Sequence, residues 1–301
     1  MNFDLLEAFC RAQGIAFTRH VPLAKKCTFH IGGTADCFLE PAAEAQLATL
    51  LPFLRGHAIP YIVLGRGSNV LFPDTGLRGA VVALGDAFAD LYLLDDTTIY
   101  CQSGASLNRL CLFAWENGLT GLEFAYGIPG SVGGAVYMNA GAYSGEMRDV
   151  LHASHYVRPD GTTGVFAGAE QALNYRASVY TGSDMLITGA VLHLQKGTPT
   201  EIRARMEELM TRRRTSQPLD FPSAGSTFKR PPGAYAAALI DQCGLKGFAV
   251  GGAQVSTKHA GFVINTGGAT SADVRALIAE VQRRVQAESG ILLEPEIALF
   301  D

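Results

Sequence analysis

The sequence predicts an α+β protein of more than one domain, and three observations carry that expectation. The chain has 301 residues, enough for two or three domains with real cores. Strand-like alternation and helical spacing follow one another along it with no periodic repeat or low-complexity tract. Two glycine-rich segments, residues 65–69 and 127–146, stand on separate strand-containing stretches.

The elements follow in order. Phe3, Leu6 and Cys10 fall at helical spacing, and the stretch lacks the basic n-region of a signal peptide, so a short amphipathic helix is expected. Residues 36–40 (DCFLE) read as a strand, 43–55 as a helix and 60–64 (PYIVL) as a second strand. Gly65-Arg66-Gly67-Ser68-Asn69 follows. It is no dinucleotide fingerprint, because Pro73, Gly76 and Gly79 leave no room for the helix that a Rossmann turn must open. A glycine loop between strands has two readings: a nest of main-chain N–H groups for an anion, or a tight turn in which Ser68 and Asn69 bond their own backbone.

TIYCQ (98–102) reads as a strand, and Ser106 caps a helix that ends at Gly118. In the second glycine segment, GIPGSVGGAVYMNAGAYSGE, small residues let backbone come close to something flat or charged. A helix starting near Ser131 would aim its N-terminal amides at the same ligand as the first loop. Together the two segments suggest one large cofactor with a diphosphate between them. HASHYV and GTTGVF are strands joined by the turn Arg158-Pro159-Asp160-Gly161, and MLITGAVLHL is a third. His152 and His155, three apart on a strand, face opposite ways and make no metal pair.

Thr198-Pro199-Thr200-Glu201 is a capping box with proline at the first helical position. That helix closes on Arg212-Arg213-Arg214, read either as cations at the negative end of the helix dipole or as a phosphate clamp. Gln217-Pro218 marks a boundary. Beyond it come SAGSTFKRPPG, a helix AYAAALIDQC, a strand at 261–265, a helix from Ser271 to Glu288, and a strand ILLEPEIALF with Glu294 and Glu296 on one face. Ser226 fits neither the nucleophile elbow G-x-S-x-G nor a phosphate loop.

Composition sets limits on partners. A formal net charge of -4, with 48% hydrophobic and 17% charged residues, gives no general pull toward nucleic acid or acidic lipid. No apolar run approaches the roughly 18 residues that span a bilayer. The six cysteines include no C-x-x-C pair, so no metal site is expected, and buried thiols in a reducing, cytoplasmic setting are.

Taken together, TFHIGGTADCFLEP, LGRGSNVLF, GIPGSVGGAVYMNAGAYSGE, NYRASVY, SAGSTFKRP, GLKGFAVGGAQVSTKHAGFVIN and LEPEIALF resemble one family in content and order. It is the UDP-N-acetylenolpyruvoylglucosamine reductase family of peptidoglycan precursor synthesis. The resemblance runs from about residue 28 to the C-terminus. It implies two FAD-binding subdomains of the vanillyl-alcohol-oxidase type, residues 1–76 and 77–216, and a C-terminal α+β substrate-binding domain, residues 217–301. It also implies that NADPH reduces FAD, and that hydride then passes to the enolpyruvyl ether of UDP-N-acetylglucosamine to give UDP-N-acetylmuramate.

By the same resemblance, Ser226 is the proton donor, and Arg176 and Glu296 polarise the substrate carboxylate. The flavin falls to Gly65, Arg66, Gly67, Ser68, Asn69, Pro129, Gly130, Ser131, Gly133, Gly134, Asn139, Ala140 and Gly141. Two departures from the family pattern stand out. No long tyrosine-bearing insertion fits between Arg176 and Val191, and Arg230 stands where the family's F-K-N-P has asparagine. Two rival readings share the glycine segments: an oxidase of small alcohols or lactones on the same scaffold, and a catalytically silent flavin- or nucleotide-binding module.

Overall fold

The computed structural model describes residues 2–301. It divides into two compact units that interleave in sequence: residues 1–19, 37–66 and 78–212 in the first, and 20–36, 67–77 and 213–301 in the second. This grouping by contact differs from the three consecutive segments expected above, because strands distant in sequence pair with one another inside the second unit.

In the first unit, the opening helix Phe3–Ala12 is capped by Asn2, whose side chain accepts from Leu5 N, and it buries Leu6 and Cys10. A four-stranded sheet has the order Ala16–Pro22, Thr34–Glu40, Leu77–Ala83, Tyr61–Leu64. Tyr61–Leu64 and Leu77–Ala83 run parallel, and the glycine loop lies in their connection. Leu39, Leu47, Leu50, Leu51 and Val82 lie in the core that joins this sheet to helix Glu44–Gly56.

A second, five-stranded sheet has the order Thr163–Ala167, Leu151–Val157, Leu186–His193, Thr98–Gln102, Leu91–Leu93, antiparallel throughout. Its core takes in Leu107, Leu110 and Cys111 of helix Leu107–Glu116 and Val132 and Val136 of helix Val132–Tyr137. His152 stacks on His193 at 3.9 Å between ring centroids, while His155 meets the edge of Tyr100 at 5.5 Å, so the two histidines face different neighbours.

In the second unit, an antiparallel sheet has the order Ser223–Ser226, Phe262–Asn265, Ala253–Val255, Ala249–Val250. Helix Ser271–Ser289 buries Val274, Leu277, Ile278, Val281 and Val285. The Asp74 carboxylate accepts from the first-turn amides of Ser271 (2.8 Å) and Ala272 (3.1 Å), a favourable place for an anion. Of the expected C-terminal strand, only Ala298–Leu299 forms, parallel to Val70–Leu71, with an isolated bridge at Pro295. In that bridge the hydrogen bonds come from the flanking residues, Glu296 N to Thr227 O and Lys229 N to Glu294 O, so the proline is tolerated there.

Helix Pro199–Ser216 starts where the capping box predicts and runs two residues past the arginine cluster. At its end Lys258 Nζ donates to Arg214 O at 2.5 Å, and Arg213 bonds Gln217 at 3.0 Å. A cation on the last carbonyls is the helix-stabilising arrangement. No helix among the described residues is long and apolar enough to cross a membrane. None of the six cysteines is in a disulfide, and five are buried.

Candidate active site

The loop after Tyr61–Leu64 is shaped by what its glycines avoid. Gly67 has φ +62°, and a Cβ there would run into Lys26 O and approach Cys27 Cα to 2.7 Å. Only glycine fits such a close approach. The loop's carbonyls are used: Gly67 O accepts from Thr28 N (3.0 Å) and Asn69 O from Ala298 N (2.9 Å). Its amides are not. Among the described residues, the main-chain N–H groups of Arg66, Gly67, Ser68 and Asn69 make no hydrogen bond.

Four consecutive open amides, one on a buried glycine, form a donor nest of the kind that holds a phosphate. The residues present therefore fit a diphosphate-bearing cofactor here. The Arg66 guanidinium instead pairs with the exposed Asp86 carboxylate at 2.5 Å.

The second segment meets the first at Gly65, where a Cβ would strike Ser131 Oγ. Ser131 caps helix Val132–Tyr137, its Oγ accepting from Gly134 N at 3.2 Å. The start is where the sequence puts it, but the amides are not available as expected. Val132 N donates to Ala105 O (2.9 Å) and Gly133 N to Ser103 O (2.8 Å). The first turn is thus satisfied within the protein. Gly133 is needed for packing as well, since a Cβ there would lie 2.7 Å from Ser103 Cβ. Pro129 is exposed and Gly130 half-buried; Gly130 N donates to Ile128 O at 2.8 Å, and Gly130 O accepts from Leu107 N at 3.0 Å.

Asn139 is fully buried at φ +40°. Its Nδ2 donates to Glu146 Oε2 (2.8 Å) and Asn174 O (3.1 Å), and its Oδ1 accepts from Arg148 N (2.9 Å). With every side-chain group committed, Asn139 is a bracket holding the turn that presents Arg176. Ala140 is pinned by Ala140 N donating to Ala135 O (2.8 Å) and Met147 N donating to Ala140 O (2.9 Å). Gly141 makes room for Glu146, whose Cβ would lie 2.8 Å from a Cβ at 141.

Arg176 sits at the tip of a two-residue turn. Asn174 and Ala177 exchange both main-chain hydrogen bonds, at 3.0 and 3.1 Å. Its φ of +53° is uncommon for a residue with a side chain, and such outliers collect at functional sites. The guanidinium lies 4.9 Å from the Tyr175 ring centroid.

Ser226 and Glu296 both belong to the second unit. Between Ser223, paired with Ile264, and Ser226, paired with Phe262, the strand carries one extra residue, a bulge. Gly225 supplies the positive φ, +79°, that this bulge type requires. The bulge turns the half-buried Ser226 out of simple alternation, and its hydroxyl makes no hydrogen bond among the described residues. The next residue, Thr227, is 2% exposed and locked: Thr227 N donates to Gly261 O (2.8 Å), and Thr227 Oγ1 accepts from Val263 N (3.0 Å).

Glu296 N donates to Thr227 O at 2.8 Å, and Lys229 N to Glu294 O at 2.8 Å. The segment bearing Glu296 therefore runs beside the one bearing Ser226. Sequence spacing alone could not bring together residues 70 apart in number. Nearby, burial pulls His259 below the ordinary histidine range, and its Nδ1 accepts from Gly261 N at 3.1 Å. Arg230 lies 4.7 Å from the Tyr235 ring centroid. Among the described residues, no group of three His, Cys, Asp or Glu side chains could hold a metal ion.

The chain matches the FAD binding domain family over residues 35–166 and the C-terminal domain of UDP-N-acetylenolpyruvoylglucosamine reductase over 217–300. It is 44% identical to UDP-N-acetylenolpyruvoylglucosamine reductase of Syntrophomonas wolfei, covering 92% of each chain. With that of Clostridioides difficile the identity is 42%, over 93% of this chain and 91% of the relative. The crystal structure of the reductase from Thermus caldophilus superposes with a TM-score of 0.79 at 36% identity, covering 95% of this chain and 99% of that one. A BBE-like protein of Physcomitrella patens, 15% identical over 64% of this chain and 44% of its own, shares the fold at a TM-score of 0.51.

Proposed function

The chain belongs to the UDP-N-acetylenolpyruvoylglucosamine reductase family, and from that premise we propose that Ser226, Arg176 and Glu296 carry the chemistry of its reaction. The activity is the FAD-dependent reduction of UDP-N-acetylenolpyruvoylglucosamine in peptidoglycan synthesis, with NADPH as reductant. In this reading residues 1–76 and 77–216 serve the flavin, residues 217–301 serve the substrate, and the reaction takes place in the cytoplasm, where its nucleotide-activated substrate is made.

When bound, FAD supplies a two-electron carrier that accepts hydride from NADPH and gives it up to the substrate alkene. The open amides of residues 66–69 hold its diphosphate, and Gly65 and Gly67 keep the backbone close enough to do so. The other task of the chain is to manage charge. Reduction at the terminal alkene carbon leaves negative charge on the neighbouring carbon and its carboxylate. Arg176, fixed at its turn by Asn139, faces that charge, and one such preorganised group contributes about 3 kcal/mol to lowering a barrier. A bare carboxylate beside the charge would repel it, so Glu296 acts with its proton on or its charge neutralised.

Ser226 then gives its hydroxyl proton to the carbon. A hydroxyl is a weak acid, but a positioned one suffices for a strongly basic carbon. The observation that supports this assignment best is the hydrogen bond from Glu296 N to Thr227 O, which sets Glu296 beside the residue following Ser226. Ser226→Ala tests it. Flavin should bind and be reduced by NADPH as in the wild type, while reoxidation by the enolpyruvyl substrate nearly stops. Wild-type reoxidation by the variant would refute the role of the serine.

A further inference from the structure

Strands Val70–Leu71 and Ala298–Leu299 run parallel, with Ala298 opposite Val70. Two rungs are regular: Ala298 N donates to Asn69 O at 2.9 Å, and Phe300 N to Leu71 O at 3.1 Å. Continued one step back, a regular parallel ladder has the main-chain N–H of Asn69 donating to Glu296 O. That rung is absent. Asn69 Nδ2 donates to Glu296 O instead, at 3.2 Å, and the main-chain N–H of Asn69 makes no hydrogen bond among the described residues.

The side chain has taken the place of the backbone. Asparagine suits the exchange because its carboxamide carries both N–H donors near the main chain. The substitution does two things at once. It holds the Glu296 peptide from its carbonyl side while Thr227 O holds it from the N–H side. It also leaves the last amide of the loop open as an anion donor.

We propose that Asn69 is a positioning residue for Glu296, and that it couples the anion-holding loop to the proton-delivery strand by giving its side chain to the rung its own backbone would fill. The inference rests on the roles proposed above for Glu296 and Ser226. The main chain of Glu296 is anchored on both sides, at its N–H by Thr227 O and at its carbonyl by Asn69, and loss of the carboxamide donor releases one of these two anchors. The step that depends on Glu296 is protonation of the substrate carbon; hydride uptake from NADPH does not depend on it.

The test is Asn69→Asp, which keeps the shape and replaces the donor with an acceptor facing Glu296 O. In the anaerobic holoenzyme, reoxidation by UDP-N-acetylenolpyruvoylglucosamine should slow about tenfold or more beyond any slowing of flavin reduction by NADPH. The solvent deuterium isotope effect on reoxidation should rise, a change that a merely loosened fold would not produce. Flavin affinity, followed by fluorescence on adding FAD to apoprotein, should weaken, because the aspartate charge lies beside the anion nest. Asn69→Ser, too short to reach Glu296 O, should show the same split between half-reactions and serves if the aspartate variant fails to fold. Equal slowing of both half-reactions, or reoxidation at the wild-type rate, overturns the proposal. A wild-type enzyme that the substrate cannot reoxidise would instead overturn the functional reading beneath it.

Discussion

Arg176 shows how much of a functional residue lies outside its own side chain. Its turn conformation, φ +53°, is held by main-chain bonds between Asn174 and Ala177 and by Asn139, 37 positions earlier. A lysine would keep the charge but lose the planar fork and its packing on Tyr175. Arg176→Lys is therefore expected to lower kcat/KM for the enolpyruvyl substrate about 100-fold, near 3 kcal/mol, with flavin reduction by NADPH unchanged. Steady-state and single-turnover rates check this. Neither the turn nor its bracket was legible in the sequence, because no local signal pairs Asn139 with Asn174. Ser226 was legible only through the resemblance, since it matches no nucleophile motif and its bulge depends on pairing with a strand some 40 residues on.

Among the elements, helix starts fixed by capping and most apolar strands were read correctly, and the misses are strands whose extent only a distant partner sets. Helix starts after Ser106 and Ser131, and at Pro199 and Ser271, lie where capping residues put them. Strand Ala16–Pro22 went unread because its residues are mostly exposed and lack a regular alternation, and only a partner strand makes it extended. The strand expected over 291–300 shrinks to two residues because the segment divides between partners, bridging Phe228 at Pro295 and pairing with Val70–Leu71 at Ala298–Leu299. The bulge at Ser223–Ser226 gives this scale its prediction. A Cβ at Gly225 would touch nothing within 4 Å, so Gly225→Ala carries a conformational cost and no clash. The variant should lose about 1–2 kcal/mol of stability in chemical denaturation, and more activity than that loss explains, because Ser226 is turned by the same bulge. Unchanged activity would separate the bulge from the chemistry.

For the whole molecule, the sequence conveyed the α+β class and the two glycine segments. It did not convey the interleaving that groups 20–36 and 67–77 with 213–301. That grouping comes from contacts such as Val70–Leu71 with Ala298–Leu299 and Asp74 with the helix at Ser271, which no local pattern announces. Cysteine usage gives a prediction at this scale. Burial pushes the thiols of Cys10 and Cys101 up to about 12 and raises Cys111 as well, while Cys243 is only half-buried. A buried, protonated thiol is a poor nucleophile. In the native protein a thiol reagent should titrate Cys243 quickly and the other five only after denaturation; several fast thiols would contradict the packing of both units.

The central claim is that one chain takes hydride from NADPH and completes the substrate's reduction with a proton from Ser226. An anaerobic absorption experiment on the purified holoenzyme tests it most directly, with wild type and Ser226→Ala side by side. NADPH should bleach the flavin in both, and UDP-N-acetylenolpyruvoylglucosamine should restore the oxidised spectrum in the wild type but leave the variant bleached. Recovery in both at the same rate would remove Ser226 from the mechanism, and recovery in the wild type only when air is admitted would contradict the reductase account itself.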